Sequence, residues 1–286
     1  MSVPTPSHDS PNRLENYPIT LFAIGMGMMG LTLALHAAET SYGAGHGIST
    51  VMLAVSIAML AAIAGGYTAK AIWHPQKVAE EWRHPVKIAF FPAVSISFLL
   101  LSTALVDLAP GIAKPLWILA TALQGILALW VIAAWIGHRP FKPAMMTPAW
   151  FIPAVGNVIV PLAGVRLGYV ESSWLFFSGG LVFWVVLLTL VMNRLMFHDP
   201  MPGKMVPTLM ILVAPPAVAF SAWMQLNGGA VGPFGHFLLS AAYVFALLVV
   251  TQVSKLREPA VRPVMVGAFV PDCRACNCQL WLCARG

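Results

Sequence analysis

WFIPAVGNVIVP, Trp150 to Pro161, places Pro153 and Pro161 inside one apolar run. A proline in a helix interior clashes one turn back and leaves a carbonyl without its donor. The letters PAV also occur in FFPAVSISF (Phe90 to Phe98, with Pro92) and in LVAPPAVAF (Leu212 to Phe220, with Pro215 and Pro216). A chain that breaks three apolar segments at one kind of place is repeating a unit.

Working outward, each of these runs is long enough to cross a bilayer. Apolar stretches of about 20 residues mark transmembrane helices. Eight spans are expected, at 18–38, 47–70, 87–107, 114–137, 148–167, 172–195, 205–226 and 233–256. Proline alternates among them. The third, fifth and seventh spans carry Pro92, Pro153 with Pro161, and Pro215 with Pro216. The even spans have no interior proline; Pro115 and Pro233 are read as helix starters, where proline is harmless. The first span uses Gly25, Gly27 and Gly30 in FAIGMGMMG as its breaking element. The repeating unit is therefore a hairpin of one broken and one smooth helix, seen four times.

Composition agrees. Only 9% of residues are charged and 59% are hydrophobic, and mean hydropathy is +0.80. So little charge cannot cover a soluble domain of this length. The net charge of +6 does not point to nucleic acid, because the basic residues do not cluster. Instead they alternate between connectors. Arg13, Lys70, Lys77, Arg83, Lys87, Arg139, Lys142, Arg194, Lys204, Lys255, Arg257 and Arg262 fall on one side; Lys114 and Arg166 fall on the other. The positive-inside rule then places the N-terminus in the cytoplasm. Residues 1–17 read as a cytoplasmic tail rather than a signal peptide.

In lipid, a freed backbone group has no water to turn to. Broken helices persist at membrane depth only against protein or along a wet path. The odd spans are thus expected to line a central path, with the even spans outside. No Asp, Glu, Lys or Arg lies near the middle of a span, and the histidines are scattered near ends and loops, with no ligand pair on one helix face. Neither an enzyme, a cofactor nor a metal site is expected. Coupled carriers keep ionisable or coordinating groups at mid-membrane; here the odd spans offer Ser95, Ser97, Ser102, Thr103 and Asn157. Weak sites suit passive conduction. Helix starts after each proline turn N–H groups and a positive dipole end into the path, which favours anions, while the freed carbonyls oppose this. The expected path residues are Gly25, Gly27, Pro92, Ser95, Pro153, Asn157, Pro161, Pro215 and Pro216, with Ser95 and Asn157 as donors. Asn157 reads equally well as a packing hydrogen bond, and Gln124 reads as a tie between helices.

PITLFAIGMGMMGL, EWRHPVKIAFFPAVSISFLLL, WFIPAVGNVIVPLAG and FFSGGLVFW together resemble the TehA-like tellurite-resistance/dicarboxylate transporter family, to which the plant slow anion channels belong. The resemblance runs from about Tyr17 to Arg257. It implies an all-α polytopic protein of five hairpins around a pore, assembled as trimers in the bacterial inner membrane. It implies passage of small anions such as chloride or nitrate, or coupled export of C4-dicarboxylate or tellurite. It also implies a gating phenylalanine on a ninth helix. The chain departs from this pattern after Arg262. Residues 18–262 are expected to form the pore domain of four hairpins, and 263–286 an aberrant tail. That tail carries all four cysteines, and CRACNC lacks a partner pair for zinc. Read one base later from Met265, with third bases chosen to fit, the codons allow an apolar segment containing Ser-Phe-Pro. A frameshifted, truncated form, or an inactive fragment, is the corresponding expectation. The gate role is not carried to Phe269.

Overall fold

The computed structural model describes residues 14–43, 45–137, 146–198 and 203–252. The tail 263–286, with Phe269 and the cysteines, lies outside the described residues. So do residues 1–13 and the connector residues Arg139, Lys142, Lys255, Arg257 and Arg262.

The protein is an all-α polytopic membrane protein. Among the described residues, seven helical segments are long and apolar enough to cross a bilayer: Ile19–Tyr42, Gly47–Trp73, Lys87–Leu105, Pro110–Ile136, Val170–Phe197, Pro207–Leu226 and Gly232–Thr251. The eighth, Pro148–Gly164, is apolar but shorter. The even spans are single smooth helices: α2 (Gly47–Trp73), α5 (Pro110–Ile136), α8 (Val170–Phe197) and α10 (Gly232–Thr251).

The odd spans differ in how they break. In the third, a 3-10 segment over Lys87–Phe90 leads into α4 (Pro92–Leu105). The N–H of Phe91 bonds the carbonyl of Ile88, the acceptor for which Pro92 has no N–H to offer. The i→i+3 pattern thus satisfies what proline cannot. The seventh repeats this, with a 3-10 segment over Gly203–Leu212 before α9 (Ala214–Leu226). Pro215 and Pro216 sit in its first turn, where a missing N–H does no harm. The fifth is broken most. It runs as a 3-10 turn over Pro148–Trp150, α6 (Phe151–Val155), a 3-10 turn over Gly156–Ile159 and α7 (Val160–Gly164).

Two expectations are corrected, and one helix is new. The first span is not broken by its glycines: α1 runs through Gly25, Gly27 and Gly30 from Phe22 to Tyr42. Glycine permits other backbone angles without requiring them. Pro115 does not start α5 but lies inside it, because the helix already begins at Pro110. And the connector 70–87 contains a short helix, α3 (Pro75–Arg83), begun by Pro75.

Candidate conduction path

Met26 and Gly30 of the first span, Ile96 and Leu100 of the third, Phe151, Ile152, Val155, Gly156 and Ile159 of the fifth, and Ile211, Ala214, Pro215 and Val218 of the seventh enclose one cavity of about 250 Å³. Every lining residue belongs to an odd span. None is ionisable, and the wall is almost wholly apolar. The breaks make this possible: at Gly156 an added Cβ would come within 2.5 Å of Ile96 and 2.8 Å of Gln124. On the outer side, a Cβ at Gly180 of α8 would meet Val158 at 2.5 Å. The glycines of PAVGN and FSGG therefore let the fifth span pack tightly between its neighbours.

Behind the cavity wall, α5 attends to the broken backbone of the fifth span. Gln124 Nε2 donates to the carbonyl of Pro153 at 3.0 Å and to Asn157 Oδ1 at 3.1 Å. Its Oε1 accepts from Ser95 Oγ at 2.7 Å. Trp117 Nε1 donates to the carbonyl of Val160 at 3.0 Å. Both donors and both carbonyls are two helical turns apart, so one face of α5 matches one face of the broken span. This is how backbone groups are satisfied where water is excluded.

The residues singled out from the sequence separate accordingly. Pro215 lines the cavity. Pro92, Pro153, Pro161 and Pro216 are buried near it and shape the backbone without being part of its wall. Ser95 is fully buried, and its hydroxyl faces Gln124 and the carbonyl of Pro92 rather than the cavity. Asn157 is held by Gln124 through its carbonyl oxygen. Gly25 packs against Leu60 and Ser97, whereas Gly27 is exposed, with nothing within 4 Å of an added Cβ. The sequence reading missed Gly30, Ile96, Phe151 and Gly156 as cavity residues. They look like ordinary core until the four odd spans are brought together.

Ionisable and hydroxyl side chains gather at the two ends. At one end, a cavity of about 160 Å³ is lined by Thr32, His36, His46, Ser49, Thr50, Thr103, Asp107 and Arg166, among others. Arg166 pairs with Asp107, tying the end of the fifth span to the end of the third. At the other, Lys70 and Glu81 form a buried ion pair at 3.1 Å. Lys70 also donates to the carbonyl of Tyr17 at 2.8 Å. Glu81 accepts from Tyr67 at 3.1 Å and faces Lys87 at 3.4 Å. Nearby and half-buried, Lys77 has its pKa raised above the ordinary value by hydrogen bonds to Glu80 and Glu15.

A family model described as SLAC1, voltage-dependent anion channel, matches residues 16–273. The chain is similar to the S-type anion channel SLAH2 of Arabidopsis thaliana, 28% identical over 221 residues, which cover 75% of this chain and 43% of that protein. It is similar to the tellurite resistance protein TehA homolog of Haemophilus influenzae, 26% identical over 223 residues, 77% of this chain and 67% of that protein. The guard cell S-type anion channel SLAC1 of Arabidopsis thaliana is 23% identical over 231 residues, 75% of this chain and 40% of that protein. The matches thus span less than half the length of these two plant relatives.

Proposed function

The chain belongs to the voltage-dependent anion channel family, and from that membership we propose that it passes small anions through the membrane along the cavity between its odd spans. The family is one of channels and transporters, so no enzymatic role is assigned. The single observation that carries the reading is the 250 Å³ cavity lined only by odd spans and by no ionisable side chain. An apolar, uncharged middle between ends that carry ionisable side chains offers an ion little to bind and little to hold it, which is what conduction requires.

The same wall bears on which anion passes. Desolvation rises steeply with charge, and no cationic side chain lines the cavity to offset it. Nitrate and chloride are therefore favoured over a C4-dicarboxylate, which carries two charges. In this reading the lysine- and arginine-rich connectors support a cytoplasmic N-terminus in the inner membrane of a bacterium, and the intact protein assembles as a homotrimer with a path in each protomer. The pore domain is 18–262.

Flux into proteoliposomes separates passive passage from coupled export. With a potassium diffusion potential imposed, nitrate and chloride should equilibrate with the potential, with or without a pH gradient. Accumulation of malate or tellurite beyond that equilibrium, driven by a pH gradient, overturns the reading. Gly30→Leu tests the path itself. Gly30 lines the cavity and an added Cβ there meets nothing within 4 Å, so the substitution adds bulk at the wall without a clash at its first atom. Flux should fall by about tenfold or more while the protein stays folded, the direction expected when an apolar constriction narrows. Unchanged flux places the path elsewhere.

A further inference from the structure

The first hairpin carries a cluster that the anion path does not use. His36 and Glu39 lie three residues apart on one face of α1, and His46 is the residue before α2. Gly43, in the left-handed region at φ 63°, ends α1, and His46 lies beside His36. The two imidazole rings lie 4.6 Å apart, tilted by 30°. One ligand-type atom from each of His36, Glu39 and His46 falls within 4.8 Å of the others. His46 Nδ1 is 3.7 Å from Glu39 Oε2.

Glu39 is the fixed member. It is 7% exposed, and its carboxylate accepts the N–H groups of Ile48 at 2.9 Å and Ser49 at 3.2 Å, in the first turn of α2. Both histidines are exposed, so their rings are free to turn toward it. Two imidazoles and one oriented carboxylate are a donor set for zinc-class ions. Ligands on one tetrahedral zinc stand about 3.3–3.5 Å apart, and the His46–Glu39 separation is already near that. The carboxylate's own hydrogen bonds supply the orientation that ligand sites need.

We propose that His36, Glu39 and His46 form a site for a divalent transition-metal ion of the zinc class, with a fourth position open to water. His36 and His46 both line the end cavity that holds Arg166, so the ion adds positive charge at that mouth of the protein.

The test uses the full chain, purified without a polyhistidine tag, with Cys273, Cys276, Cys278 and Cys283 replaced by serine to remove competing thiolates. Zn²⁺ is titrated by calorimetry, and Co²⁺ is followed by absorbance. One Zn²⁺ should bind per chain, and Co²⁺ should show d–d bands. His36→Ala and His46→Ala should each weaken binding by about tenfold or more and abolish the zinc-induced rise in Tm. Both positions are exposed, so both variants keep the fold, checked by Tm without metal. His236→Ala, at an exposed histidine outside the cluster, should bind as the parent does. Absence of zinc binding in the parent, or unchanged binding in both α1–α2 variants, overturns the site. Equal weakening by His236→Ala also overturns it, because the ion is then held elsewhere.

Discussion

The first and third hairpins show two ways of holding a pair of membrane helices. In the first, both helices are continuous, so their backbones need nothing from outside. Thr32 and Ser56 share a hydrogen bond at 3.0 Å within the bilayer, and the rest of the polar contacts gather at the ends. Glu39 caps α2 at one end, and Lys70 with Glu81 locks the other to α3. In the third hairpin the inner helix is broken into four short pieces. There the polar contacts move to mid-membrane and come from a neighbour, through Gln124 and Trp117 of α5. A break inside the bilayer is thus sustained by side chains on the adjoining smooth helix, and the cavity forms where those breaks meet.

The contrast can be broken at its strongest point first. Glu81→Ala leaves the Lys70 ammonium buried without its carboxylate and should destabilise the protein by about 3–5 kcal/mol, with Lys70→Met/Glu81→Leu recovering much of the loss. Chemical denaturation in detergent reads both; a loss under about 1 kcal/mol for the single variant would show that the ends do not hold the first hairpin.

In the third hairpin, Gly156→Ala forces a methyl against Ile96 and Gln124 and should cost about 1–3 kcal/mol, as overpacking does. Anion flux should fall with it, since Gly156 is also a cavity residue. Retained stability and flux would mean the wall yields more easily than its contacts imply.

Gln124→Leu keeps the volume but removes both donors and the acceptor. A loss of about 1–2 kcal/mol is expected. Amide exchange should quicken over 153–160 and stay unchanged over α1, and uniform quickening would contradict the local role. The smallest effect belongs to the first hairpin. Gly27→Ala meets nothing within 4 Å and lies in a continuous helix, so Tm should rise slightly, by the equivalent of about 0.5–1 kcal/mol. A fall would show that α1 needs its glycines for flexibility after all.

The odd–even alternation was legible because proline acts locally: it lacks an N–H wherever the chain goes. So Pro92, Pro153, Pro161, Pro215 and Pro216 marked the broken spans in advance, and the smooth spans followed by contrast. Glycine misled at Gly25 and Gly27, since it permits a break without forcing one, and the surrounding helix prevailed. The role of Ser95 was beyond reach, and Asn157 stood between two readings, of which the packing hydrogen bond is the one the structure shows. Whether a hydroxyl or amide faces a cavity or a neighbour depends on the rotation of each helix about its axis, and here Gln124 holds both.

Sequence by itself determined the membrane class, the spans, the hairpin repeat and the resemblance to an anion-passing family. All of these rest on hydropathy and on residues whose effect is confined to their own turn of backbone. Only the tertiary structure decided which side chains form the cavity wall, which carbonyls α5 satisfies, and that His36, Glu39 and His46 converge. Those facts depend on residues distant in sequence meeting at separations of a few ångströms, and one residue's chemistry does not encode the register in which two helices dock.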